Sequence, residues 1–174
     1  CLTHDIDFIG IRYHLFDHSM WGFLYRSSVG AIRDLCRRRL SAARALRMWR
    51  AALSLPFVYL GWLGDFWEPF SWYLAVEADL ASTYYLIPFK GVVGDHVAGR
   101  RAVRRATAYD VGDLVGWAET LSKHGCEIGV HGIDSWHSAS RGRAELERVA
   151  TVTGQCPAGV RMHWLLNDEQ TPAV

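Results

Sequence analysis

Four short runs rich in β-branched and aromatic residues punctuate the chain, and their spacing constrains the fold more than any other feature. They are "THDIDFI" over Thr3–Ile9, "STYYLIPF" over Ser82–Phe89, "CEIGVHG" from Cys126 and "AGVRMHWLL" from Ala158. Helical periodicity fills the gaps: Val29–Leu53, the stretch "EPFSWYLAVEADL", "DVGDLVGWAETLSKHGC" with Gly125 as its stop, and "GRAELERVATVTG". Strands separated by helices argue for parallel pairing, because a parallel neighbour needs a long crossover connection, usually a helix. The expectation is therefore an α/β chain, part of a (β/α) barrel, with 174 residues forming one domain. The segment "GVVGDHVAGRRAVRRATAYD" reads as a long loop between the second strand and the following helix.

In parallel α/β folds chemistry gathers where strands end. The first strand ends with two carboxylates one residue apart, Asp5 and Asp7, which strand alternation directs to the same side. Two like charges there require a cation, a basic residue or a shared proton. His131 stands at the end of the third strand, and Arg161 and His163 stand near the end of the fourth. His137 follows His131 by six residues, and the loop "GIDSW" between them is expected to fold it back. One carboxylate with two imidazoles makes a three-ligand site with a position left for water, the arrangement of hydrolytic zinc. Asp134 is the rival for the place of His137. If neither of them reaches Asp7 and His131, a metal-free carbohydrate-binding relative becomes the better reading.

With these residues in order, THDID, then "EIGVHG" with a following His, then "GVRMHW", the chain resembles the polysaccharide deacetylase superfamily, metal-dependent enzymes that remove acetyl groups from amino sugars on a deformed β/α barrel. The resemblance implies that Asp5 is the catalytic base, that Asp7, His131 and His137 bind the metal, and that Arg161 orients the base. It implies a divalent ion, zinc or cobalt, and a carbohydrate partner. It also implies a backbone N–H near Met162–Trp164 that holds the oxyanion. The chain departs from the family pattern in three places: the His residues are six apart rather than four, His4 replaces an aromatic residue, and His163 stands where Pro is usual. The family's later motifs, including the His that protonates the leaving amine, are not found, and the chain reads as an excerpt of a longer protein.

Composition narrows the partners. A formal net charge of +1 and a pI near 7.9 give no general reason to invoke nucleic acid or acidic lipid. Arg33, Arg37, Arg38, Arg39, Arg44, Arg47 and Arg50 interleave with Leu, Ala and Met, which reads as one helix with a cationic face. The aromatic stretch Leu53–Val76 is apolar, but Asp65, Glu68, Pro56 and Pro69 interrupt it and argue against a membrane span. An alternative role for Val29–Tyr73 is a docking surface in a polysaccharide-assembly complex. His14, Asp17 and His18 read as residues of a loop after the first strand. Cys1, Cys36, Cys126 and Cys156 show no metal-finger spacing and read as reduced, mostly buried thiols.

Overall fold

A computed structural model describes residues 2–95, 105–169 and 171. The chain packs as two compact units, one of Cys1–Phe8 with Pro69–Val174 and the other of Ile9–Glu68.

The first unit is α/β. Strands β1 (Leu2–Asp5), β2 (Ser82–Leu86), β3 (Glu127–Gly132) and β4 (Val160–Met162) form one parallel sheet in the order β1-β2-β3-β4. The sheet curls into a half-barrel, and one side chain demonstrates the curl. Flat strands spaced about 4.8 Å apart would put the two edges roughly 14 Å from each other. Yet Arg161 on β4 reaches Thr3 Oγ1 at 3.0 Å and Asp5 Oδ2 at 3.2 Å, both on β1. Thr3 and Asp5 share the concave face by strand alternation. His4 points the other way, packing its ring on Tyr84 and Tyr73 at centroid distances of 4.7 and 4.3 Å and bonding Glu77 Oε2 at 2.9 Å. His4 thus fills an aromatic site.

Among the described residues this unit carries helices α4 (Phe70–Val76), α5 (Val115–Lys123) and α6 (Ala139–Thr153), numbered after three in residues 9–68. Asp110 opens α5 through a short 3-10 turn with a reciprocal capping box to Asp113, and the left-handed Gly125 follows its end. Ser138 caps α6, and Gly154 ends it in the left-handed conformation. Their apolar faces bury Leu114, Ala118, Leu121 and Val149 with Tyr84, Leu86, Ile128 and Val130 of the sheet. Residues 96–104 of the expected loop after the second strand lie outside the described residues.

Residues 9–68 are helical. Asp17 caps α1 (His18–Tyr25), accepting the Ser19 and Met20 N–H groups at 2.8 and 3.0 Å while its second oxygen holds His14 Nδ1 at 2.6 Å. A wider π-type turn over Arg26–Gly30 leads into α2 (Ala31–Cys36). The expected single helix over Val29–Leu53 is broken: Arg38 turns left-handed, and Ser41 caps a new helix, α3 (Ala42–Tyr59). Asp65, which interrupts the apolar stretch in the sequence, clasps three backbone N–H groups, those of Ile11, Arg12 and Trp67 at 3.1, 3.0 and 3.0 Å. The clasp requires glycine beside it, since a Cβ on Gly10 would stand 2.5 Å from Asp65 Oδ2. Asp65→Ala removes all three hydrogen bonds at once and is expected to cost about 2–4 kcal/mol, read from urea unfolding. A loss below about 0.5 kcal/mol would show that water replaces the clasp.

Among the described residues no helix is long and apolar enough to cross a membrane. Cys36, Cys126 and Cys156 are free thiols, but Cys36 and Cys156 are exposed rather than buried; Cys1 is outside the described residues.

Candidate metal centre

β1 ends at Asp5 rather than running to Ile9, although Ile6 N–H still pairs with Tyr85 O at 3.1 Å. Asp7 lies just beyond, on a bend, with Ile6 buried behind it and its own carboxylate half-exposed. Its Oδ1 sits 3.0 Å from His131 Nε2 and 3.2 Å from His163 Nδ1, and those two nitrogens are 3.0 Å apart. Both imidazoles are buried. Asp7, His131 and His163 therefore form a triangle of three donor atoms that could hold a metal ion.

The outer nitrogens of the two rings determine what the inner ones can be. His131 Nδ1 faces the Arg161 carbonyl at 3.0 Å, and His163 Nε2 faces the Arg105 carbonyl at 3.0 Å. A carbonyl only accepts, so each outer nitrogen carries the hydrogen and donates it. In the neutral rings the inner nitrogens then present lone pairs to each other and to a carboxylate. Three lone pairs aimed at one another repel unless something positive lies among them. Metal–ligand bonds of about 2.1 Å put donors roughly 3.0 Å apart at right angles and roughly 3.4 Å apart at the tetrahedral angle. The observed sides of the triangle lie in that range. The donor set, two imidazoles and a carboxylate, suits zinc or a similar divalent ion.

Burial raises the Asp7 pKa, and only donated hydrogen bonds and positive charge from His131 and His163 outweigh it and hold the carboxyl well below the usual carboxylate range; with both imidazoles presenting lone pairs, a bound cation would take that role. Tyr109 is buried nearby. Burial pushes its phenol well above the ordinary range, the Asp7 charge adds to this, and a backbone hydrogen bond opposes it.

Asp5 stands next to this triangle in sequence, ion-paired to Arg161 Nε at 3.2 Å. Arg161 thus has two functions: its side chain orients Asp5 and its backbone carbonyl orients His131.

His137, expected as the third ligand, is not part of the triangle. It lies 3.4 Å from Asp134 Oδ1, in a second group with Asp95. Asp134 does not join Asp7 either: it is buried and accepts the Asp95 N–H at 2.7 Å, and Asp95 also pairs with Arg141 at 3.6 Å. The physical reason is the turn after β3. Glu145 of α6 accepts the Ile133 and Asp134 N–H groups at 3.0 and 2.7 Å, and the buried Arg105 side chain donates to the Val93 and Ile133 carbonyls. A Cβ on Gly132 would run into Ser135 Oγ. This tight turn takes residues 133–137 away from the strand end instead of folding them back over it. The third donor comes from His163, which the sequence reading placed near the end of the fourth strand but left out of the ligand set. The signal was available: Arg161 and His163 are two residues apart at a strand end, as Asp5 and Asp7 are. With His163 in place the three-donor set is complete, so the metal-free reading does not follow from the position of His137.

The Glu145 clasp is testable by stability. Glu145→Ala leaves two buried N–H groups unpaired and is expected to cost about 3 kcal/mol in urea unfolding. Burial pushes the Glu145 carboxyl above its ordinary range, partly offset by the Asp134 and Ile133 N–H bonds and reinforced by the Asp134 charge. A raised folded-state pKa means that the carboxyl contributes stability below the unfolded value of 4.5, and that this contribution is lost as pH rises through the folded value. Wild-type stability relative to Glu145→Gln is therefore expected to fall as pH rises from about 4.5. A flat difference would place the carboxyl at its ordinary pKa.

Fold and site together define a class: an α/β protein whose curled parallel sheet brings one carboxylate and two imidazoles from three strand ends to a candidate metal centre. Comparisons with protein-family models, with curated proteins and with solved structures found no match.

Proposed function

We propose that this chain carries the metal-binding and base-catalytic part of a hydrolase that removes acyl groups from an amino sugar or polysaccharide. The observation that carries the reading is the donor triangle of Asp7, His131 and His163 beside the Asp5–Arg161 pair. The resemblance of THDID, "EIGVHG" and "GVRMHW" to the polysaccharide deacetylase motifs supports the same chemistry, with His163 replacing His137 among the ligands.

Asp7, His131 and His163 would hold a divalent ion, which would supply positive charge for activating water and for offsetting the negative charge on the acyl oxygen. The remaining work belongs to the chain. The Arg161 and Arg105 carbonyls lock the two imidazoles in the tautomers that aim lone pairs inward. Asp5 accepts the proton of the attacking water, and the guanidinium of Arg161, bonded also to Thr3, fixes the carboxylate that receives it. His163 is followed by Trp164 and Leu165, both left-handed at φ 62° and 53°. That turn carries the chain away from the strand end immediately after the third donor.

The test is acetate release by metal-stripped protein reconstituted with zinc or cobalt. An aryl acetate, whose leaving group needs no proton, is assayed beside an N-acetylated amino-sugar oligomer. The expected result is metal-dependent hydrolysis of the aryl ester at least. If the metal-loaded protein releases acetate from neither substrate faster than the free metal, the hydrolase reading is wrong.

A further inference from the structure

The overall charge of +1 conceals a division. Residues 9–68 carry nine arginines and no lysine against Asp17, Asp34, Asp65 and Glu68, a formal charge of +5. The rest of the chain, with ten basic and fourteen acidic residues, carries −4. The positive unit also exposes many large apolar side chains.

That surface is ordered by helix geometry. Along α1 and α2, Trp21, Tyr25, Val29 and Ile32 recur at four, four and three residues and form one exposed stripe. Along α3, Leu46, Leu53, Phe57 and Leu60 recur at seven, four and three residues and form a second exposed stripe, on the side away from the buried Leu55. A helix with one apolar side for its core and another facing water has a surface left to cover. The two stripes meet at an open cavity of about 530 Å³ lined by Ile32, Leu53, Leu24, Trp49 and Ala52. Arg26, Arg33, Arg47 and Arg50 flank the stripes and are exposed.

We propose that this face of residues 9–68 seats the protein on an anionic lipid bilayer surface. Exposed Trp, Tyr and Phe with a surround of Arg are what the interfacial layer of a membrane accepts: rings at headgroup depth, aliphatic groups below them, guanidinium groups on phosphates. None of the described helices is long and apolar enough to cross the bilayer, and the apolar stripes run along the helices, which suits seating on its surface. A second copy is the poorer occupant, because +5 would face +5. An acidic protein would match the charge, but the apolar stripes and open cavity call for a fluid apolar partner along their whole length.

The experiment is flotation of the full chain with vesicles of phosphatidylcholine alone or mixed with phosphatidylglycerol. The wild type is expected to float with the mixed vesicles at low salt, to stay behind with the neutral ones, and to be released at roughly 0.5 M salt, where charge is screened within about 5 Å. Arg47→Gln with Arg50→Gln is expected to weaken binding about thirtyfold. Leu53→Ser with Phe57→Ser is expected to abolish it while circular dichroism stays unchanged, since both side chains are exposed. Three results would overturn the proposal: no flotation with mixed vesicles; flotation indifferent to Leu53→Ser with Phe57→Ser, which marks charge attraction alone and with it an acidic protein partner; or light scattering showing a dimer that those substitutions dissociate. None of these results bears on the hydrolase reading, which has its own test.

Discussion

Replacing Asp7, His131 or His163 with Ala is expected to abolish the proposed stoichiometric binding of zinc or cobalt, and replacing His137 to leave it intact. The expectation follows from the triangle: its three donor atoms lie 3.0–3.2 Å apart, whereas His137 sits with Asp134 and Asp95. Structural zinc sites gain roughly 10–16 kcal/mol from four ligands, so one ligand is worth on the order of 3 kcal/mol, a loss of about a hundredfold or more in affinity. Metal content by mass spectrometry after dialysis, with unfolding curves for each variant, separates ligand loss from misfolding. Asp7→Asn is the gentlest arm, since Asp7 is half-exposed and the change keeps its volume. Should His137→Ala release the metal while His163→Ala keeps it, the ligand assignment reverts to the one the sequence spacing suggested.

The site was legible in part, for identifiable reasons. Asp5, Asp7 and His131 could be placed because each ends a run of β-forming residues, and parallel strands bring such ends together. The tight turn after β3 was not legible, because it depends on Glu145, twelve residues further on, and on Arg105, neither of which marks the local sequence as a turn. The break between α2 and α3 was hidden similarly. Arg37, Arg38 and Arg39 favour helix, no Gly or Pro interrupts them, and only Ser41 hints at a new start. The parallel direction of the strands was readable from their helical spacing, and with it the expectation of part of a barrel, which the curled half-barrel sheet bears out. The contacts that join the edges of the sheet were not, because Arg161 and Thr3 are 158 residues apart.

The second large effect is expected at Asp5. Asp5→Ala retains the metal and loses turnover by about a hundred- to ten-thousandfold, the usual contribution of a general base. Arg161→Lys keeps the positive charge but not the fork that spans Thr3 and Asp5, so a smaller loss is expected, with metal content unchanged. Arg161 holds His131 through a backbone carbonyl, which no side-chain substitution removes. The informative comparison is metal content against kcat on the same preparations. If Asp5→Ala strips the metal as completely as Asp7→Ala does, Asp5 is a ligand and the assignment of roles fails.

The order of the strands in the sheet also has a kinetic consequence. Each strand pairs with its neighbour in sequence, but the closures differ in length: Val130 to Val160 spans 30 residues, Tyr85 to Gly129 spans 44, and Leu2 to Ser82 spans 80. Closing the longest rather than the shortest costs roughly 0.9 kcal/mol more in chain entropy, from the logarithm of the ratio of 80 to 30. β1 is therefore expected to dock last, onto a β2–β3–β4 ribbon already formed, and it is β1 that delivers Asp5 and leads to Asp7. Refolding followed with a metal-responsive dye should then show metal capture lagging behind burial of the β2–β4 core, and simultaneous appearance of the two signals would contradict that order.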